Sequence, residues 1–62
     1  MTATKTEYLA RIYNVSLGMA EESKFYATKR AAVRWCEAVA DPGDVIESHK
    51  LADGIIVVEI RV

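Results

Sequence analysis

Cys36 and His49 are the only cysteine and histidine in this 62-residue chain, and they are the side chains best suited to nucleophilic or metal chemistry. A reactive thiol needs a basic partner that lowers its pKa, and no Cys/His pair stands at a recognisable spacing. A metal site at His49 needs several further ligands, whereas only Glu47 is predicted to share its face of a strand. We therefore expect Cys36 to be a small core residue and His49 a half-exposed strand residue.

Three carboxylates, on Asp41, Asp44 and Glu47, surround a predicted turn and are the remaining candidates for cation binding. Their spacing does not match a calcium loop, whose ligands alternate along a longer segment with a central glycine and a terminal glutamate. The sequence also contains no glycine-rich phosphate loop and no nucleophile motif. It therefore predicts a solvated acidic loop, no bound metal or cofactor, and no enzyme activity.

Positive charge is concentrated in the first half of a predicted helix, where the helix dipole disfavours it. Lys29, Arg30 and Arg34 lie there, whereas Glu37 and Asp41 lie toward the other end. Cations at this end of a helix lower its stability, and a sequence that keeps them without visible compensation can mark a binding surface. Two interpretations stay open: a basic patch that docks on phosphates or an acidic protein, and a solvated face whose cations pair with Glu37.

Aromatic side chains are numerous for so short a chain, and some of them are predicted near the basic residues. Tyr13 and Tyr26, together with Arg30 and Arg34, would form a surface of the kind used by protein hot spots or single-stranded nucleic acid. The alternative is that both tyrosines pack against the sheet edge. Trp35, in the middle of the apolar stripe of the helix, is expected to be the central core residue beneath the sheet.

The elements that must position these residues are one helix and several short strands. Thr28 can cap a helix over Lys29–Ala40, and Asp41-Pro42-Gly43 ends it. An alternative start near Met19 would give a longer helix. The apolar stripe of this helix recurs at spacings of three and four residues, and its members are Ala32, Trp35, Cys36 and Val39.

The first part of the chain alternates in the manner of a strand. Residues 1–6 are predicted to be a flexible leader, and residues 7–62 a single domain that starts with a strand over Tyr8–Val15. In this strand Tyr8, Ala10 and Ile12 share one face. Residues 19–24 are polar and predict a connecting loop, after which residues 23–26 return as a short edge strand.

The end of the chain predicts a hairpin around Ala52-Asp53-Gly54. A three-residue loop with a bulge at Gly54 competes with a two-residue Asp-Gly turn. The longer loop sets Ile46 opposite Ile60 and Glu47 opposite Glu59, which is unfavourable unless a cation intervenes. The shorter turn directs Glu47 and His49 toward the core, a larger penalty. We therefore expect the longer loop.

The final strand is apolar on both faces, because Ile55 and Val57 alternate with further branched aliphatic residues. The predicted fold is α+β, with one helix packed on one face of a three- to four-stranded, mostly antiparallel sheet in the order β-(β)-α-β-β. One helix can cover only one face. Ile55 and Val57 are therefore predicted to meet a second copy of the chain in a homodimer, or to dock a partner.

Size and charge narrow the classes of function. A chain of 62 residues is near the lower limit for a self-sufficient core, so association would stabilise it. The net charge of −1 makes direct nucleic-acid binding less favoured than protein binding. No apolar run is long enough for a membrane span and the N-terminus lacks a signal peptide's apolar segment, so we expect a protein of the reducing cytoplasm.

The run Tyr26-Ala27-Thr28-Lys29-Arg30-Ala31-Ala32-Val33-Arg34-Trp35, followed by strands joined at Ala52-Asp53-Gly54-Ile55-Ile56, carries a resemblance. In this order of elements the chain resembles small single-helix α+β proteins of phages and mobile elements, including some anti-CRISPR proteins of type I systems. The resemblance implies a non-catalytic inhibitor that occupies the surface of a host protein or ribonucleoprotein complex. It implies no particular binding residues.

Overall fold

The structure is a computed structural model that describes residues 5–62. Most of the predicted leader, residues 1–4, lies outside the described residues. The order of elements confirms the α+β prediction: β1 (Glu7–Asn14), β2 (Met19–Tyr26), α1 (Lys29–Val39), β3 (Val45–Ala52) and β4 (Ile55–Arg61). No helix in this part of the chain has the length and apolar character that a membrane crossing requires.

The four strands form one sheet in the order β2-β1-β4-β3. The outer pairs, β1 with β2 and β3 with β4, are antiparallel, whereas the two inner strands, β1 and β4, run parallel. Residues paired across strands share a face of the sheet. One face carries α1 and is called the helix face; the opposite one is called the outer face.

The helix is held close to the sheet by small side chains. Thr28 caps α1 as predicted, because its hydroxyl accepts a hydrogen bond from the backbone N–H of Ala31 at 3.2 Å. Ala10, Ala32 and Cys36 are completely buried between helix and sheet. The prediction that Trp35 is the central core residue is wrong: it is only partly buried and packs at the margin, because a bulky indole does not fit so close an approach.

The prediction for residues 19–24 is also wrong, because these residues belong to a full strand, β2. The alternative of a helix starting near Met19 is wrong as well. β2 is an edge strand whose residues are almost all exposed, so its stability comes from pairing with β1 and not from an apolar pattern of its own. A bulge at Glu21 lets Ile12 pair with Glu22 and Tyr13 with Ala20.

The hairpin of β3 and β4 combines features of both predicted turns. Ala52 pairs with Ile55 across the two residues Asp53 and Gly54, as in the shorter turn. A bulge at Leu51 then shifts the strands into the register of the longer loop. Gly54 has φ +77°, a left-handed conformation that favours glycine.

The register of this hairpin confirms the expected cross-strand pairs. Ile46 lies opposite Ile60 on the helix face, and Glu47 lies opposite Glu59 on the outer face. The predicted need for a cation between the two carboxylates is also confirmed. The guanidinium of Arg61 reaches both, at 3.3 Å from Oε2 of Glu47 and 3.6 Å from Oε2 of Glu59.

Val57 corrects the argument that the last strand needs a second covering surface. It lies on the outer face, yet it is 0% exposed in the single chain. Its flanking partners in the sheet are Leu9 and His49, and Glu59 follows it on the same face. Because these neighbours are all longer than valine, they screen it from water without a second layer. Val57 is therefore not available for direct contact with a partner, whereas Ile55 is only partly buried.

Candidate protein-binding surface

The predicted basic residues lie together on the solvent side of α1. Lys29, Arg30 and Arg34 are exposed around the partly buried Val33. With Glu37 these residues line an open depression of about 550 Å³. We call Lys29, Arg30, Val33 and Arg34 the basic helix surface.

The cations of this surface have no ion-pair partner within residues 5–62. The salt bridges of that part of the chain use Arg11, Arg61 and Lys50 instead. The interpretation in which the helix cations pair with Glu37 is therefore wrong for this structure. The first turn of α1 also contains no acidic residue, so its positive dipole end adds to the side-chain charge instead of offsetting it.

Tyr13 does not join the basic residues, and Tyr26 is not among the residues that line their depression. Tyr13 lies on the outer face, on the other side of the sheet from α1, where the guanidinium of Arg11 is 4.9 Å from its ring centre. Tyr26 packs against the core cluster, with Nζ of Lys24 5.4 Å from its ring centre. Strand alternation separates Tyr13 from the helix, and burial of the ring removes most of Tyr26 from the surface.

A charged cluster on the outer face was not predicted as a unit. Oε1 of Glu59 accepts hydrogen bonds from Nε and Nη2 of Arg11, at 2.9 and 2.7 Å. The side chain of Glu59 is only 3% exposed. Arg61 links Glu59 to Glu47, and its guanidinium is 5.9 Å from the ring centre of Tyr13. Two cations and two anions balance here, so this cluster carries no net charge.

The signal for that cluster was present in the sequence. Glu59 interrupts the apolar run from Ile55 to Ile60, and a charge in such a position needs a partner if it is buried. Arg11 is the residue that pairs with it across the parallel strands. Because the parallel register of β1 and β4 could not be predicted from local pattern, Arg11 was not identified as the partner of Glu59.

An apolar cluster occupies the other half of the outer face. Leu9 pairs with Phe25 on one side and with Val57 on the other. Ile55 lies on the same face, two residues before Val57. Phe25 is 55% exposed, so this half presents an aromatic ring beside partly buried aliphatic side chains.

Cys36 is a buried core residue, as predicted, and His49 lies on a strand. The thiol of Cys36 is buried and donates a hydrogen bond to the backbone carbonyl of Val58 at 3.4 Å. His49 is exposed on β3. Within residues 5–62 no three histidine, cysteine, aspartate or glutamate side chains are grouped as metal ligands would be.

Burial of Cys36 leads to a prediction on reactivity. Desolvation raises the pKa of its thiol above the usual 9.0 and outweighs the backbone of Arg11, which lowers it, while the charge of Glu37 adds a smaller increase. At pH 8 the folded protein should therefore react with a thiol reagent far more slowly than the protein in urea, as followed by absorbance. Because the pKa is higher in the folded state than in the unfolded state, the contribution of the buried thiol to the free energy of unfolding should be fully present below pH 9. It should be lost at higher pH as the thiol ionises. Equal rates in buffer and urea would contradict this burial.

No protein-family model, curated protein or solved structure matches this chain.

Proposed function

We propose that this chain is a non-enzymatic protein-binding module that docks its basic helix surface on an acidic surface of a partner protein. The observation that carries the proposal is the lack of ion pairs for Lys29, Arg30 and Arg34 within residues 5–62. Unpaired cations on one rigid helix steer an acidic partner and fix its orientation. Val33 at the centre supplies an apolar contact of the kind found inside a polar rim.

Inhibition of a host effector complex is the specific activity we assign to this module. It rests on the resemblance of Tyr26–Trp35 and the following strands to type I anti-CRISPR proteins, which act by occupying a surface. The proposed partner is a host protein or ribonucleoprotein complex, in a reducing cytoplasm where a single buried thiol such as Cys36 is stable.

Charge reversal on the helix tests this function. In bacteria with an active type I CRISPR system, expression of the wild-type chain should restore infection by a targeted phage, and the Arg30→Glu/Arg34→Glu variant should not. The loss should be nearly complete, because two attractive contacts become repulsive. Plaque counts measure it, and capture of the effector complex on the immobilised protein shows whether binding is lost in parallel.

A matched control changes the net charge equally at a distance from the helix. Lys5→Glu/Lys50→Glu reverses two exposed cations outside the helix and should leave protection and capture intact. If the wild type gives no protection, the inhibitor function is wrong. If the helix variant and the control behave alike, the basic helix surface is not the binding site.

A nucleic-acid module is the second candidate, because the same unpaired cations would also attract phosphates. It predicts that labelled duplex or single-stranded DNA binds at low salt, with an affinity that falls steeply as salt rises. The net charge of −1 weighs against it. Absence of any shift at low salt would exclude it.

A further inference from the structure

β3 forms a free edge of the sheet. The strand order places it at the end, beside β4 alone, and α1 packs on β1, β4 and β2. Backbone groups along such an edge can pair with a strand from another chain. Neither the helix nor another strand in residues 5–62 covers this side of β3.

The regular part of β3 is well suited to strand pairing. Residues 45–50 pair with β4 without interruption, and the bulge at Leu51 comes after them. The stretch contains no proline and no bulge, two of the devices that interrupt pairing at natural sheet edges. The other edge strand, β2, is interrupted near its start by the bulge at Glu21.

We propose that two copies of this chain associate through antiparallel pairing of their β3 strands, with Ser48 facing Ser48 of the second copy. Antiparallel partners share a face of the sheet, so a symmetric pairing must oppose residues of the same face. In this register Glu47 lies opposite His49 of the second copy, and symmetry repeats the pair. Ile46 then lies opposite Lys50 of the second copy.

Charge and hydrogen bonding favour this register over its neighbours. Two neighbouring symmetric registers also pair residues of the same face. One sets Glu47 opposite Glu47 of the second copy, and the other sets His49 opposite His49. Both Glu47 and His49 are exposed on the outer face. Arg61 contacts Oε2 of Glu47, which leaves Oε1 to accept a hydrogen bond from the imidazole of the second copy.

The resulting sheet has eight strands in the order β2-β1-β4-β3-β3-β4-β1-β2, with both helices on one side. The basic helix surface takes no part in the contact, so this inference stands independently of the proposed function. Pairing along a single edge buries less area than a standard interface. We therefore expect reversible association that depends on protein concentration.

Sedimentation equilibrium of the full chain, with three variants, tests the pairing. His49→Glu sets a carboxylate opposite Glu47 twice, and should weaken dimerisation by at least about tenfold. Adding Glu47→Lys to that variant places opposite charges across the pair and should restore the dimer. Ser48→Lys places two ammonium groups against each other across the symmetry axis and should also weaken it, without touching the Arg61 contacts. Circular dichroism checks that each variant is folded.

Glu22→Lys, a charge change on the other edge strand, is the matched control and should leave the dimer unchanged. A wild-type chain that stays monomeric up to about 1 mM, a concentration at which even weak contacts associate, would overturn the proposal. So would a folded His49→Glu variant that dimerises like the wild type. Dissociation by Glu22→Lys would assign the contact to β2 instead, and failure of the folded double variant to recover would overturn the register.

Discussion

Replacing Val57 with aspartate is expected to unfold the protein even in dilute solution. The side chain of Val57 is completely buried, and Arg11, the cation on the flanking strand, is already paired with Glu59. An unpaired buried charge costs about 3–5 kcal/mol or more. A domain of this size has little more stability than that. Circular dichroism at micromolar concentration should show loss of the folded signal.

Ile55→Asp is the control for this substitution, because Ile55 lies on the same strand and the same face but is only partly buried. The new carboxylate can reach water there, so this variant should stay folded with a moderately lower urea midpoint. A Val57→Asp protein that unfolds at the wild-type urea concentration would contradict the burial of Val57. It would also return Val57 to the list of residues that contact a partner.

Replacing Arg11 with methionine is expected to lower the free energy of unfolding by about 3 kcal/mol. Glu59 would keep its carboxylate in a buried position, with only Nε of Arg61 nearby at 3.6 Å. Removal of one partner from a buried pair leaves the other charge uncompensated, and this accounts for most of the loss. Urea unfolding followed by circular dichroism measures it.

Two further variants distinguish the loss of the Arg11–Glu59 ion pair from the loss of the Arg11 side chain itself. Glu47→Gln removes an exposed contact to Arg61 and should cost less than about 1 kcal/mol. The double variant Arg11→Met/Glu59→Leu removes both buried charges and should recover most of the stability that Arg11→Met loses. If Arg11→Met costs no more than Glu47→Gln, water screens the Arg11–Glu59 pair and its burial is not significant.

Elements with local signals were predictable from the sequence. The helix begins after the cap residue Thr28 and ends before Asp41-Pro42-Gly43, where the sequence placed those limits. The register of the hairpin also followed from alternation, because, of the two predicted turns, only the longer loop keeps Ile46 on the helix face and Glu47 off it. These features depend on residues close in sequence, so local pattern suffices for them.

Features that depend on distant parts of the chain were not predictable. β2 is polar and becomes a strand only because β1 supplies hydrogen-bond partners. The burial of Val57 depends on side chains from both flanking strands, which no local pattern reveals. Lys29, Arg30 and Arg34 were correctly placed on one helix, but their lack of ion pairs depends on side-chain geometry. The position of Tyr13, by contrast, could have been predicted, because strand alternation places Tyr13 on the face opposite Ile12.

The parallel pairing of the two inner strands has a consequence for biosynthesis. Residues 7–13 pair with residues 55–61, so the central contact joins segments made at very different times during translation. β1 must wait, with Leu9 and Ile12 unburied, until β4 emerges from the ribosome. Such high contact order slows folding and prolongs exposure to aggregation and to chaperones. Deletion of either segment should therefore abolish folding as a whole instead of trimming one edge.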